Sequence, residues 1–144
     1  RFDYAAGKTR VDELNQNKNQ RRHWENPIPG CALDVLTTVY YAAAVPLEPG
    51  SALSFPINDG KDTGNLDVNI TGREAVSIDA GNFKTIIAET EPASEIMKNH
   101  GRVWVWFSDN AQRIPVRIRG KLRWGTVTLT LESIERPKTA AANP

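Results

Sequence analysis

Apolar and polar residues alternate along most of this chain, and the longest run is RVWVWFSDNAQRIPVRIRGKLRWG, residues 102–125. Strict alternation is the mark of a half-buried β-strand. Val103, Val105 and Phe107 share one face, and Ile114, Val116 and Ile118 share one face of the strand that follows. Pairing Val105 with Ile114 joins the two apolar faces and leaves a four-residue loop, Ser108 to Ala111, a common hairpin length. That register predicts Trp104, Trp106, Arg113 and Arg117 on the outer face, with Trp106 opposite Arg113. Leu122 and Trp124 continue the inner face, while Arg119, Lys121 and Arg123 continue the outer one. A turn at Trp124-Gly125 would then pair Leu122 with Val127, Arg119 with Thr130 and Arg117 with Glu132.

Other strands follow from the same pattern. Phe2 to Tyr4 and Arg10 to Leu14 read as short strands, and Asn15 to Gln20 as a polar loop. Ser51 to Ile57 carries Leu53, Phe55 and Ile57 on one side. Leu66, Val68 and Ile70 alternate with polar residues until Gly72 breaks the run. Ala75 to Asp79 and Phe83 to Glu89 form a hairpin about Ala80-Gly81-Asn82, and Thr126 to Glu135 is the last strand. One segment differs. In CALDVLTTVYYAAAV, Cys31 to Val45, the residues Leu33, Leu36, Tyr40 and Ala43 recur at helical spacing with Val39 beside them. Ala32, Val35 and Tyr41 make the rest nearly as apolar, so most of the helix circumference is expected to be covered. Pro46 and Pro49-Gly50 end it. The expected fold is mainly β: an antiparallel meander forming a half-barrel or open barrel, with one packed α-helix in or across its mouth. Residues 1–136 read as a single β-rich domain and 137–144 as a flexible tail.

Composition narrows the function classes. Eighteen Lys and Arg stand against 17 Asp and Glu, a net charge of +1, which argues against a nucleic-acid binder. The single cysteine, Cys31, excludes an internal disulfide and a multi-cysteine metal site. No run approaches the roughly 20 apolar residues that span a bilayer, and no signal peptide is visible. The start at Arg1 inside strand-like sequence suggests a processed or truncated chain.

Few motifs carry chemistry. Asp62-Thr63-Gly64 and Asp79-Ala80-Gly81 are similar to the signature triplets of aspartic proteases. That hydrolytic reading requires the two carboxylates about 3 Å apart, and both triplets sit in turn-like sequence, where Asp and Gly have conformational reasons of their own. IPGC, residues 28–31, has the shape of a lipidation box, but the polar RRHWENP before it lacks the apolar stretch such a signal needs. His23 and His100 have no neighbour at metal-ligand spacing. No cofactor is implied. The cations of residues 113–123 fit the wet side of a sheet facing ordinary Thr and Glu partners. Trp104 and Trp106 beside them are the feature that a wet face does not account for.

The order of segments resembles a known family. The residues that carry the resemblance are Asp34, Leu36, Tyr40 and Tyr41 of the helix, and Val76, Ala80, Gly81 and Phe83 of the hairpin. Trp106, Ser108, Asp109 and Arg113 to Ile118 follow, and then GTVT, residues 125–128. Together they resemble the exported bacterial proteins grouped as domain of unknown function 3108, over roughly residues 1–136. The resemblance implies a β-rich protein of the periplasm or cell envelope, with a signal peptide and further strands ahead of Arg1. It supplies no catalytic residues.

Three functional expectations follow. The first is a non-enzymatic accessory or binding subunit of an envelope protein complex, with Trp104, Trp106, Arg113, Arg117 and Arg119 meeting a protein partner; membrane association would come through that partner. The second is a carrier of a lipid or other apolar ligand, held between sheet and helix by Leu36, Tyr40, Phe55, Val105 and Val116. The third is the aspartic-type hydrolase resting on Asp62 and Asp79.

Overall fold

The computed structural model describes residues 1–94, 96–97 and 101–135. The fold is mainly β, with two antiparallel sheets and one helix. Strands β1 (Phe2–Asp3), β2 (Lys8–Asn15) and β3 (Gln20–Pro27) form a small sheet in that order. Helix α1 (Val35–Ala44) follows. Strands β4 (Ala52–Asn58), β5 (Thr63–Ile78), β6 (Gly81–Thr90), β7 (Arg102–Ser108), β8 (Pro115–Leu122) and β9 (Gly125–Thr130) make a six-stranded meander. The meander does not close, so the molecule is an open half-barrel with one helix packed against it. The expected single meander is thus split into two sheets, the helix falling at the break.

The small sheet has little apolar surface to bury and is tied down by polar contacts. Glu25 on β3 takes ion pairs from Lys8 (2.6 Å) and Arg10 (2.8 Å) on β2. Trp24 Nε1 donates to the Gly60 carbonyl (3.0 Å) and Asn26 Nδ2 to that of Lys61 (2.8 Å), docking β3 on the β4–β5 turn. Ile28 is buried just beyond the strand.

The large sheet has an inner face, toward α1, and an outer face. Phe55, Ile57, Val68, Ile70, Ile86, Ala88, Val105 and Phe107 build the main core on the inner face, with Ala42 of α1 above them. Two β-bulges then change which side chains face outward. In β5 the register shifts between Ile70 and Gly72. Leu66, Val68 and Ile70 therefore face inward, whereas Val76 and Ile78 belong to a second cluster. Gly72 bends one continuous 16-residue strand; it does not end it. In β8 a second bulge, opposite Trp106 and Phe107, turns Val116 away from the main core to pack with Trp106 and Val76. Val116 is fully buried there, on the face opposite to the expected one.

The expected pairings of the 102–125 hairpin are corrected in register throughout and in face at Val116. Val105 pairs with Ile118, not Ile114, and Trp106 pairs with Arg117, not Arg113. The loop is accordingly longer, residues 109–114, and its ends are clamped by Ser108: its N–H donates to the Ile114 carbonyl (2.8 Å) and its Oγ accepts from Ile114 N–H (2.9 Å). Across β8 and β9, Leu122 pairs with Gly125 and Arg117 with Thr130, around the turn Arg123-Trp124. Shifts by an even number of residues preserve the faces, so alternation alone does not choose between these registers.

Candidate functional site

Helix α1 is where the expected packing and the structure differ most. It begins at Val35, capped by Asp34, and not at Cys31, which is exposed in the turn before it. The Asp34 carboxylate accepts from Thr37 N–H and from Thr37 Oγ1, each at 2.8 Å. These hydrogen bonds, the backbone one first, hold its carboxyl below the usual range, against a smaller opposing effect of burial. The helix buries Thr38 and Ala42 fully, with Val39 and Ala43 partly packed. Leu36 is 73% exposed and Tyr40 69%, with Val35 and Tyr41 also facing out. The expected covered circumference is therefore replaced by one narrow contact stripe of small side chains, which lets the helix lie close to the sheet.

Beneath this stripe is a cavity of about 270 Å³. Val39 and Ala42 form its roof; Phe55, Val105 and Phe107 form part of its floor. Among the described residues no charged side chain lines it. Its two hydroxyls are engaged: Thr38 Oγ1 donates to the Asp34 carbonyl (2.7 Å), and Thr90 Oγ1 accepts from Val103 N–H (2.9 Å). An apolar cavity of about 150 Å³ elsewhere stays dry and takes up benzene-sized ligands. The space here is larger and open on one side, and its described lining suits hydrocarbon.

Of the residues expected to hold an apolar ligand, Phe55 and Val105 line this cavity. Leu36 and Tyr40 do not, because they face solvent, and Val116 does not, because its bulge sends it to the outer cluster. Thr38, Ala42 and Ala88 line the cavity and were missed. The signal for Thr38 and Ala42 was small size at i and i+4 within an otherwise bulky apolar helix; Ala88, on β6, is small in the same way, and such residues free space without announcing it.

On the outer face, Trp106 is buried at 8% exposure and its Nε1 donates to Glu74 Oε1 at 2.8 Å. The Arg117 guanidinium lies 5.6 Å from its ring centre. Trp104 is half-buried beneath Arg102 (5.7 Å), which also pairs with Glu89 at 3.0 Å. Arg119, opposite Trp104, is exposed. The structure brings Trp104, Trp106, Arg117 and Arg119 together on paired strands, but places Arg113 in the β7–β8 loop, away from Trp106's partner position.

The hydrolytic pair is not assembled. Asp62 precedes β5 and Asp79 follows it, at opposite ends of a 16-residue strand. At about 3.3 Å per residue they are separated by tens of ångströms, where no shared proton is possible. His23 Nδ1 lies 2.9 Å from Asp12 Oδ1 on the small sheet, and His100 lies outside the described residues. Among the described residues no group of three or more His, Cys, Asp or Glu is placed to hold a metal ion, and no helix is long and apolar enough to cross a membrane.

These features define an open β half-barrel with an apolar space beneath a single, loosely covered helix. The chain belongs to the family described as protein of unknown function (DUF3108), whose model matches residues 1–132. No curated protein and no solved structure matches it.

Proposed function

We propose that this domain is a non-enzymatic binding protein of the bacterial periplasm or envelope that carries a lipid or other apolar ligand beneath α1. The observation that carries the reading is the cavity of about 270 Å³ with a wholly engaged, uncharged lining. Apolar side chains that face this space stay partly in contact with water, and a ligand that covers them gains about 25 cal/mol per Å² of apolar surface removed from water. The envelope location is supported by the resemblance drawn from the sequence. Organic extraction of protein purified from its native envelope, followed by mass spectrometry, is expected to release an apolar compound. In delipidated protein, Ala88→Leu fills part of the cavity and is expected to raise the melting temperature while weakening a neutral naphthalene probe at least about ten-fold. Absence of extractable ligand together with unchanged probe binding in Ala88→Leu refutes the carrier.

A second reading is the accessory subunit of an envelope complex. It is supported by β9, whose every residue is exposed at the open edge of the sheet. An unpaired edge accepts an added strand, and Trp104 and Arg119 flank it on the outer face, Arg119 pairing with Thr128 of β9.

A further inference from the structure

Beside the cavity lies a second space, a groove of about 680 Å³ between α1 and the β8–β9 hairpin. The two spaces share the helix as a wall: Val39 and Ala42 face the cavity, and Tyr40 and Ala43 the groove. Ile118 and Leu129, paired across β8 and β9, line its far side. Among the described residues no Asp or Glu lines it; its cations are Arg113 and Arg117, and the Arg117 guanidinium is stacked on the Trp106 ring, which leaves Arg113 as the one without a partner.

Arg113 is unusual in three respects. Its Nη1 is buried and donates to no acceptor. Buried polar groups are nearly always paired, and an unpaired one carries its full desolvation penalty. The acid nearest in sequence, Asp109, is already engaged by Arg73 Nε at 3.0 Å. Finally, the Arg113 backbone sits at φ +44°, in the left-handed region. It is held there by Asn110, whose Oδ1 accepts from the N–H groups of Gln112 (3.0 Å) and Arg113 (3.2 Å). Strain of this kind persists only where the surroundings over-determine it, and it concentrates at binding sites.

We propose that the groove binds an amphiphile with a single oxyanion head. The head docks where the Arg113 guanidinium, whose charge meets no carboxylate, borders the groove, and the hydrocarbon lies against Tyr40, Ile118 and Leu129. A guanidinium fork matches a carboxylate or a phosphate monoester equally well, and the apolar walls supply the attraction for an alkyl chain. This deepens the carrier reading and rests on it, since it states the class of ligand that would pass along α1.

The test compares ligands of one chain length in delipidated protein at pH 8, below their micellar concentrations: laurate, dodecyl phosphate, neutral 1-dodecanol and inorganic phosphate. Calorimetry is expected to show one or both anionic amphiphiles binding about ten- to a hundred-fold tighter than dodecanol, the range of a charge-assisted hydrogen bond. Inorganic phosphate alone is expected not to bind measurably. Arg113→Gln is expected to reduce the anion-to-alcohol ratio to about one while dodecanol affinity is kept. Arg113→Lys, which keeps the charge but not the fork, is expected to give an intermediate ratio and serves if Arg113→Gln fails to fold. If no amphiphile binds, the carrier reading falls and this inference with it. If dodecanol binds as tightly as both anions, if the ratio survives Arg113→Gln, or if inorganic phosphate binds as well as the amphiphiles, the carrier reading stands and the oxyanion-headed ligand is overturned.

Discussion

At the scale of single residues, Asp34 shows how a short motif sets the geometry of the site. Its carboxylate satisfies the exposed N–H of Thr37 at the start of α1 and so fixes where the helix begins over the sheet. The same bonds hold its carboxyl below the usual range. A carboxyl lowered on folding contributes stability above its unfolded value, about 3.9. That contribution is lost as pH falls through the ordinary range toward the lowered value. Replacement Asp34→Ala is expected to cost about 0.5–2 kcal/mol at neutral pH. Asp34→Asn keeps the acceptor without the charge, so the wild type should lose stability relative to Asp34→Asn on acidification below about pH 4. Parallel urea titrations at pH 7 and pH 3 measure both effects. Apolar spacing in the sequence begins the helix at Cys31 and does not assign this cap, which starts α1 at Val35, four residues later.

At the scale of elements, the bulges in β5 and β8 decide which side chains meet. Without the shift at Gly72, Val76 and Glu74 would not share the outer face with Trp106, and the indole would lose its acceptor. The bulge in β8 lies inside a run that reads as plain alternation, so it reverses the face read for Val116; the bulge in β5 lies where the sequence reads as a break at Gly72. Another glycine governs the neighbouring hairpin. Gly101 leads into β7 at φ +89°, and a Cβ there would run into the Lys121 carbonyl on β8. Gly101→Ala is therefore expected to destabilise the domain by at least about 1–2 kcal/mol, the usual cost of a left-handed non-glycine residue, with the clash added. A lowered denaturation midpoint at unchanged slope would show this; an unchanged midpoint would mean that the β7–β8 edge relaxes without loss.

At the scale of the whole molecule, the half-barrel leaves β9 paired on one edge only, to β8, among the described residues, and α1 with Leu36, Tyr40 and Tyr41 facing outward. If the domain serves as a subunit, a photo-crosslinker at Val127 on β9 should trap a single defined envelope protein. The double replacement Trp104→Ala with Arg119→Glu should reduce that adduct at least about five-fold, because cross-strand and rim contacts of this kind each contribute roughly 0.2–1 kcal/mol. An adduct unaffected by the pair would remove the Trp/Arg face from any partner contact.

By itself the sequence determined most of the strands, the open half-barrel class, the one helix and the family, because period-two alternation and turn residues are local and survive even-numbered shifts of register; β3 and the continuity of β5 are not legible in it. The structure, by making one continuous strand of Thr63–Ile78, separated the two carboxylates of the protease-like triplets. What only the tertiary structure decided was the site. An apolar helix with no polar face cannot announce which stripe it buries, and the choice fell to Thr38 and Ala42 because small side chains allow close approach to the sheet. The space left beneath them is defined by atoms that are absent, and the isolation of Arg113 by a partner that went to Arg73 instead. Both are properties of three-dimensional arrangement, on which the order of residues is silent.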